Sequence, residues 1–389
     1  MPHASNCRPP LCLVAAHERY VHVGWRGVVE IREDTFDSAG PKHLRDIVDW
    51  KNADYRRSVT ASLVQGVYVL ENDRRRAIGR KYAEPWWKSC NFQLHQLLRD
   101  KEESIFGAVY KYINVKCSAP ADLNVPSYVI AFRGTILLRL RDLLLIPKCI
   151  FNDLQESDRS ELAMQCVENF VDSNGSSNVW LAGHSMGSTI ALIVGRNMML
   201  KKNCSLEAYL FNPPYISFPI EKYLGTSMVK DKEKLVRIAR GIFKIGLAVA
   251  AECRINPQMQ EQKADTFCLL SRWTPHLFVN PGDFVCSEYI AYFKDRLETG
   301  PQMMKLSKKG CTTVNLLLHF AWGKDLKDAM HLLPSADLTV NQSRPREKTA
   351  ANDFIKNFQR AHGLCQWWHR EVRCQLTRYV YSTTEDPGQ

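Results

Sequence analysis

Several marks of other protein classes are missing from this sequence of 389 residues. It has no run of about 18 apolar residues, so it predicts no transmembrane helix. Its 13 cysteines are odd in number and scattered without a C-x-x-C pair, which indicates neither a zinc site nor a disulfide framework. The sequence predicts no secretion signal either, since the apolar patch at residues 11–16 is short for the core of one. We therefore expect a soluble protein with free thiols that stays inside the cell, in the cytoplasm.

Charge of one sign is not concentrated in any long segment. The 52 Lys and Arg residues outnumber the 41 Asp and Glu residues, which gives a net charge of +11. The basic residues lie in short clusters, and no zinc-finger, RNA-recognition or basic-zipper pattern occurs, so we expect no nucleic-acid partner. With 45% hydrophobic and 24% charged residues, the sequence predicts a globular protein with a sizeable core.

Short apolar runs alternate with segments of helical periodicity along the middle of the chain. The helical segments are 55–70, 160–171 and 186–199, and the apolar runs, which predict buried strands, are 127–133, 178–183, 207–211 and 276–279. This alternation is typical of an α/β fold with a mainly parallel sheet and helices on both faces. Beyond it, the polar stretch 335–352 predicts an exposed loop.

The strongest local signal is the stretch Gly183-His184-Ser185-Met186-Gly187, a G-x-S-x-G motif. A predicted strand precedes it and a predicted helix follows it, which is the context of the nucleophile elbow in hydrolases. The sharp turn lifts the Ser185 hydroxyl clear of the sheet, and the backbone N–H of Met186 points at the oxyanion that an attack by serine creates. The motif therefore predicts a serine nucleophile.

A serine nucleophile needs a base, and the base needs an acid to orient it. Asp283 follows the predicted strand 276–279, at the strand end where open α/β sheets place functional side chains. Asp265 is the alternative acid, although it follows no clear strand. Four histidines come after Asp283 and are candidates for the base: His319, His331, His362 and His369. Spacing alone does not decide between His331 and His362.

A second oxyanion donor is expected from the end of an earlier strand. The stretch Ala131-Phe132-Arg133-Gly134-Thr135 ends a predicted buried strand in a turn. Its backbone and the Thr135 hydroxyl can donate to an oxyanion. We therefore predict an oxyanion hole made of Thr135 and Met186.

These stretches resemble the class 3 lipase family of the α/β-hydrolase fold, and more closely its plant branch, often labelled GDSL esterase/lipase. No Gly-Asp-Ser-Leu stretch supports that label here, and Ser188 stands where many lipases have Gly or Ala. The resembling segments span most of residues 40–370: 49–58, 104–108, 132–135, 183–187, 210–214, 332–336, 361–364 and 366–368.

The resemblance assigns roles to individual residues. It implies that Ser185 is the nucleophile, that Asp283 is the acid and that Thr135 is an oxyanion donor. The Ala-His-Gly match before the paired tryptophans favours His362 over His331 as the base. We expect no metal or organic cofactor. The expected function is hydrolysis of carboxylic esters, in acyl lipids; the alternative is a non-catalytic protein of this fold that binds a lipid or another small molecule.

The expected domain organisation is a single hydrolase domain at residues 41–380, after an N-terminal extension at residues 1–40. A helical cap is expected at about residues 213–275. Within it, residues 230–249 place apolar side chains on one helical face and basic side chains elsewhere, which predicts either a peripheral membrane contact or a lid over an acyl pocket. An ordinary surface helix explains this pattern equally well. The oligomeric state stays open.

Overall fold

A computed structural model describes residue 36 and residues 40–46, 48–76, 85–113, 125–135, 158–215, 265–298, 333–343, 354–369 and 372–381. All of them belong to one unit, residues 34–389. Most of the expected cap, the segment 230–249, His319 and His331 lie outside the described residues. No described helix is both long and apolar enough to cross a membrane.

A single eight-stranded sheet, with its strands in sequence order, forms the centre of the described structure. Strands β3 to β7 run parallel to one another, whereas β1, β2 and β8 pair in antiparallel fashion. This sheet confirms the predicted α/β-hydrolase fold. The strands are β1 (Phe92–Arg99), β2 (Ile105–Tyr112), β3 (Tyr128–Phe132), β4 (Val179–His184), β5 (Ala208–Phe211), β6 (His276–Val279), β7 (Ala336–Asn341) and β8 (Cys374–Tyr379).

Helices cover both faces of the sheet. Helix α1 packs on one face, and helices α2 and α3 pack on the other, so that each face has its own apolar core. The bounds of the helices are α1 (Ala53–Arg76), α2 (Asp158–Asn174), α3 (Met186–Lys202), α4 (Glu288–Glu298) and α5 (Phe354–His362), with short 3₁₀ turns at Lys42–Arg45, Trp86–Cys90, Ser176–Asn178 and Leu364–Trp368.

The central strand β4 shows how the two cores share one sheet. All six of its residues are buried. Trp180 and Ala182 face the core under α1, while Leu181 faces the core under α2 and α3. A strand buried on both faces reads as a continuous apolar run in the sequence, which is why it was predictable from composition alone.

The prediction of an exposed loop at 335–352 is wrong for residues 336–341, which form the buried strand β7. The polar side chains of this strand have partners inside the fold. Asp337 is paired with Arg378 on the neighbouring strand at 2.6 Å, and Asn341 donates to Gln366. Because these partners lie far away in the sequence, the polar composition alone indicated a loop.

Candidate active site

The G-x-S-x-G motif forms a sharp turn between strand β4 and helix α3. β4 ends at His184 and α3 begins at Met186, so Ser185 alone connects them. Ser185 has φ 52° and ψ −124°, a conformation that L-residues rarely adopt and that is strained for a residue with a side chain. Strain of this kind is typical of functional positions, and it aims the hydroxyl away from both regular elements.

The two glycines of the motif allow close approach of backbones. A Cβ on Gly183 would lie 2.3 Å from the carbonyl oxygen of Gly187, and a Cβ on Gly187 would lie 2.2 Å from that of Phe132. Neither contact can be relieved by rotating a side chain, because both involve backbone atoms. The turn therefore requires glycine at both positions for steric reasons.

Three side chains from separate segments meet at this turn in a continuous hydrogen-bonded chain. His362 Nε2 lies 3.1 Å from Ser185 Oγ, and His362 Nδ1 lies 2.8 Å from Asp283 Oδ2. Asp283 is fully buried and Ser185 is 9% exposed. This is the geometry that a serine nucleophile, a histidine base and an orienting acid need.

The protons in this chain can be assigned from chemistry. An ionised carboxylate only accepts hydrogen bonds, so the Asp283 contact requires the proton of His362 to be on Nδ1. Nε2 then carries a lone pair and accepts the Ser185 hydroxyl proton. This is the tautomer that a base needs in order to remove a proton from serine.

Asp283 is buried, yet each of its oxygens has donors. Oδ1 accepts the backbone N–H of Val285 at 3.0 Å. Besides His362, Oδ2 accepts the amide of Asn212 at 2.6 Å and the thiol of Cys286 at 3.2 Å. Burial, together with the nearby carboxylate, raises the pKa of Cys286 well above its usual value, so this thiol stays protonated as a donor. These donors offset the desolvation of the carboxylate.

His362 is the last residue of helix α5, so the end of a helix presents the imidazole. The ring stacks on Phe358, one helical turn earlier, with centroids 5.2 Å apart. The following Gln366 donates to the carbonyls of Ala361 and Gly363 at 2.6 and 2.8 Å. These contacts fix the end of the helix and with it the direction of the imidazole.

Asn212, directly after β5, links Asp283 to the helix end that carries His362. Its amide nitrogen donates both to Asp283 and to the Ala361 carbonyl, the latter at 3.0 Å. The other end of the amide accepts the indole N–H of Trp367 at 2.7 Å. Because an indole N–H only donates, the atom at that end must be the oxygen. Asn212 itself has φ 47°, a left-handed conformation that asparagine tolerates better than most residues.

The predicted oxyanion residues flank Ser185. Met186 begins helix α3, and the N–H groups of a first helical turn have no acceptor within the helix. On the other side, a Cβ on Gly134 would lie 2.9 Å from the Ser185 Cβ, so the loop that carries Thr135 is next to Ser185. Thr135 is exposed.

The loop before Thr135 is held by a buried charge cluster. Arg133 donates to the carbonyls of Ile105 and Gly134, each at 2.7 Å, and to Ser104 Oγ. In a trans peptide the N–H points opposite to the C=O, so fixing the Gly134 carbonyl also fixes the Thr135 N–H. Arg133 in turn lies 3.7 Å from the fully buried carboxylate of Glu71.

Glu71 is ionised despite its burial. Burial by itself would raise its pKa, but hydrogen bonds from Arg74, Arg75 and the Ile105 N–H, with the charge of Arg133, lower the pKa to about 2. Each oxygen of the carboxylate has several donors, at distances from 2.7 Å. The cluster ties helix α1 to strands β2 and β3 beside the Ser185 turn.

The structure thus brings together Ser185, Asp283 and His362, with Thr135 and Met186 beside them. Asp265 is exposed, and the carboxylate bonded to His362 is that of Asp283. Within the described ranges, no group of three or more His, Cys, Asp or Glu side chains is arranged to hold a metal ion.

Comparison with known proteins shows the family to which the chain belongs. No protein-family model matches the chain. A curated protein of Arabidopsis thaliana named GDSL esterase/lipase At4g10955 is 36% identical over 369 residues, which cover 90% of this chain and 98% of that protein. The chain belongs to this esterase/lipase family. The resemblance found in the sequence is therefore confirmed.

The chain is also similar, more weakly, to a solved structure. The crystal structure of a lipase from Rhizopus microsporus var. chinensis matches 80% of this chain and 86% of that chain, with 12% identity and a TM-score of 0.33. Because a TM-score of 0.33 is too low to support a fold assignment, the assignment rests on the order and direction of the strands in the sheet.

The sequence analysis assigned no role to the residues of this chain that support the site. They are Asn212, Trp367 and Gln366 around the acid and base, and Glu71 and Arg133 under the oxyanion loop. One signal could have indicated Asn212: it is a polar residue at the carboxyl end of a predicted strand, where functional side chains collect. The other four make contacts with distant segments; Arg133, Gln366 and Trp367 lie in the resembling stretches 132–135 and 366–368, but those stretches do not indicate their partners.

Proposed function

We propose that this protein is a serine esterase that hydrolyses carboxylic esters of acyl lipids, with Ser185 as its nucleophile. The observation that carries the proposal is the continuous hydrogen-bonded chain from Ser185 Oγ through His362 to the buried Asp283. A non-catalytic binding protein has no use for such a chain, or for a serine kept in a strained turn. The name of the Arabidopsis relative supports ester hydrolysis.

The reaction proceeds in two halves. Ser185 Oγ attacks the ester carbonyl carbon while its proton moves to His362 Nε2, which forms a tetrahedral intermediate. The carbon–oxygen bond to the alcohol then breaks, and the leaving oxygen takes the proton from Nε2, which leaves an acyl group on Ser185. In the second half, water gives a proton to Nε2 and attacks the acyl carbon; the bond between that carbon and Ser185 Oγ then breaks, and Oγ takes the proton from Nε2, which releases the acid and restores the serine hydroxyl.

Charge develops at two places during each half. The carbonyl oxygen becomes an oxyanion, for which we assign the backbone N–H of Met186 and the N–H and hydroxyl of Thr135 as donors. The imidazole becomes positively charged, and Asp283 stabilises it through the Nδ1 hydrogen bond. Because Asp283 is fully buried, little solvent screens this attraction.

The test is labelling with a fluorophosphonate probe, which reacts with activated serines. We expect labelling of the native chain, none of Ser185→Ala, and at least about 100-fold slower labelling of His362→Ala, since a general base contributes roughly 10²–10⁴-fold. Ser62→Ala is the matched control, because its buried hydroxyl donates to the Ser58 carbonyl within helix α1. A folded native chain that takes no label contradicts the proposal and favours the binding-protein alternative.

A further inference from the structure

The motif residue before the serine, His184, has two partners on opposite sides of its ring. Its Nδ1 lies 2.8 Å from the hydroxyl of Tyr68 on helix α1, and its Nε2 lies 2.8 Å from the backbone carbonyl of His362. Strand alternation explains the first contact, because His184 points to the same face of β4 as Trp180 and Ala182, the face that α1 covers. The Tyr68 oxygen also accepts the backbone N–H of Gly134 at 2.7 Å.

Each proton along this path has only one possible place. The Gly134 N–H can only donate, so the Tyr68 oxygen accepts there. The His362 carbonyl can only accept, so the proton of His184 is on Nε2. His184 Nδ1 is then an acceptor and takes the Tyr68 hydroxyl proton. The path therefore runs in one direction, from the oxyanion loop through Tyr68 and His184 to the backbone of the base.

The path requires a neutral His184. Burial lowers the pKa of His184 to about 3; the nearby His362 lowers it too, while the hydrogen bond to the His362 carbonyl and the charge of Asp283 act in the opposite direction. The two imidazoles are neighbours, with centroids 5.1 Å apart. A His184 that stays neutral adds no repulsion when His362 takes up the serine proton.

We propose that Tyr68 and His184 are a positioning pair that holds the loop carrying Thr135 and the backbone of His362 in place around Ser185. The proposal deepens the proposed function and rests on it. Both groups that must meet the reacting ester, the oxyanion donor and the base, are attached to one rigid element, helix α1. A misplacement of about 1 Å costs roughly 100-fold in rate, so a link of this kind acts on kcat more than on substrate binding.

The kinetic test uses a short water-soluble ester such as p-nitrophenyl butyrate. Tyr68→Phe removes the linking hydroxyl alone. We expect it to lower kcat about 10-fold or more, which is part of the roughly 100-fold cost of a 1 Å misplacement, and to leave KM within about 2-fold of the native value. The matched control is Tyr110→Phe, since the buried hydroxyl of Tyr110 has no hydrogen-bond partner among the described residues. This control should keep the native kcat.

Substitutions at His184 separate positioning from simple packing. A glutamine can donate to the His362 carbonyl and accept from Tyr68, whereas a leucine can do neither. We therefore expect His184→Gln to retain at least about 10-fold more activity than His184→Leu. Native kcat in Tyr68→Phe, or equal losses in the glutamine and leucine variants, overturns the proposal.

Nitrogen NMR of histidine-labelled protein tests the pair without catalysis. We expect the His184 signals, assigned through His184→Gln, to show a neutral ring protonated on Nε2 from pH 8 down to pH 5, and Tyr68→Phe to shift the His362 signals. The titratable groups around the ring are Tyr68, His362 and Asp283. Titration of His184 near pH 6.5, or a proton on Nδ1, overturns the pair. If the native chain takes no fluorophosphonate label, the proposed function fails, and these spectra alone decide whether the pair exists.

Discussion

The amide nitrogen of Asn212 lies 2.6 Å from Oδ2 of Asp283, inside the core and out of contact with solvent. The same nitrogen donates to the carbonyl of Ala361, next to His362. One side chain after β5 thus connects the turn after β6 to the end of helix α5. Asp283 and His362 come from segments nearly 80 positions apart, so this amide adds a second link between those segments beside the direct His362–Asp283 hydrogen bond.

Replacement of Asn212 by leucine should lower kcat by roughly 10- to 100-fold. The substitution removes a hydrogen bond to a charged group, which is worth about 1.5–3 kcal/mol, and each 1.36 kcal/mol is a factor of ten in rate. Steady-state kinetics with a short soluble ester measures the loss, and circular dichroism checks the fold.

The control for this variant is Asn203→Leu. Asn203 also has a positive φ, 49°, so leucine there meets the same backbone strain. It follows the far end of helix α3, about 25 Å along the helix from Ser185. Equal losses of activity in the two leucine variants would show that strain, rather than the contact with Asp283, is responsible.

The carboxylate of Glu71 should stabilise the fold only above acidic pH. Its pKa is lowered to about 2 in the folded chain, so the unfolded chain binds a proton first as the pH falls. The stabilisation is fully present above about pH 4.5 and is lost as the pH falls from there towards 2. Glu71→Gln should cost about 3–5 kcal/mol at pH 7, because Arg133 then lacks its buried counter-charge.

Urea denaturation of the native chain and of Glu71→Gln at several pH values tests this prediction. The difference in the free energy of unfolding between the two proteins should be constant from pH 7 to about 5 and should shrink below about pH 4.5. Other groups titrate equally in both proteins and cancel. A difference that grows on acidification, or that does not change, contradicts the assigned role of Glu71.

The catalytic candidates were predictable because their signals are local. Ser185 lies in a five-residue motif between a strand and a helix, and Asp283 follows a strand that has the predicted bounds. The choice between His331 and His362 was not predictable from spacing, since both fitted equally well, and only the resemblance favoured His362. The contact that distinguishes it, at 2.8 Å to Asp283, joins segments far apart in the sequence.

Four of the five parallel strands were predictable, whereas the parallel strand β7 and the antiparallel strands were not. β3, β4, β5 and β6 are apolar runs, and the structure has them within one or two residues of the predicted bounds. β1 and β8 are edge strands whose residues are mostly half-exposed or exposed, so their composition lacks that signal. β7 was missed because its polar residues are satisfied by partners from other segments.

Replacement of Gly187 by alanine should abolish the fold around the serine turn. The new Cβ would lie 2.2 Å from the Phe132 carbonyl oxygen, so helix α3 would have to move away from β3. Gly175→Ala is the control, because its φ of 83° costs about 1–2 kcal/mol while its surroundings leave room for a Cβ. Thermal unfolding should show a modest loss for Gly175→Ala and little or no cooperative transition for Gly187→Ala. Similar melting temperatures would mean that the turn adjusts more easily than its geometry indicates.

A comparison of two buried tryptophans, Trp367 and Trp180, separates the effect of the indole N–H on activity from the effect of lost ring volume. Trp367 and Trp180 are both fully buried, but only Trp367 donates to the site, through the amide oxygen of Asn212. The indole nitrogen of Trp180 has no partner within the described part of the chain. Trp→Phe at either position should cost similar stability through lost volume, about 1–3 kcal/mol.

Activity should separate these two variants. Without the Trp367 N–H, the buried amide oxygen of Asn212 loses its donor and the amide is held less firmly against Asp283, so Trp367→Phe should lower kcat by roughly 10-fold. Trp180→Phe should keep the native kcat at temperatures well below its melting point. If both variants lose activity in proportion to their stability, the surrounding packing rather than Trp367 orients Asn212. Trp367 is then not one of the residues that support Asp283.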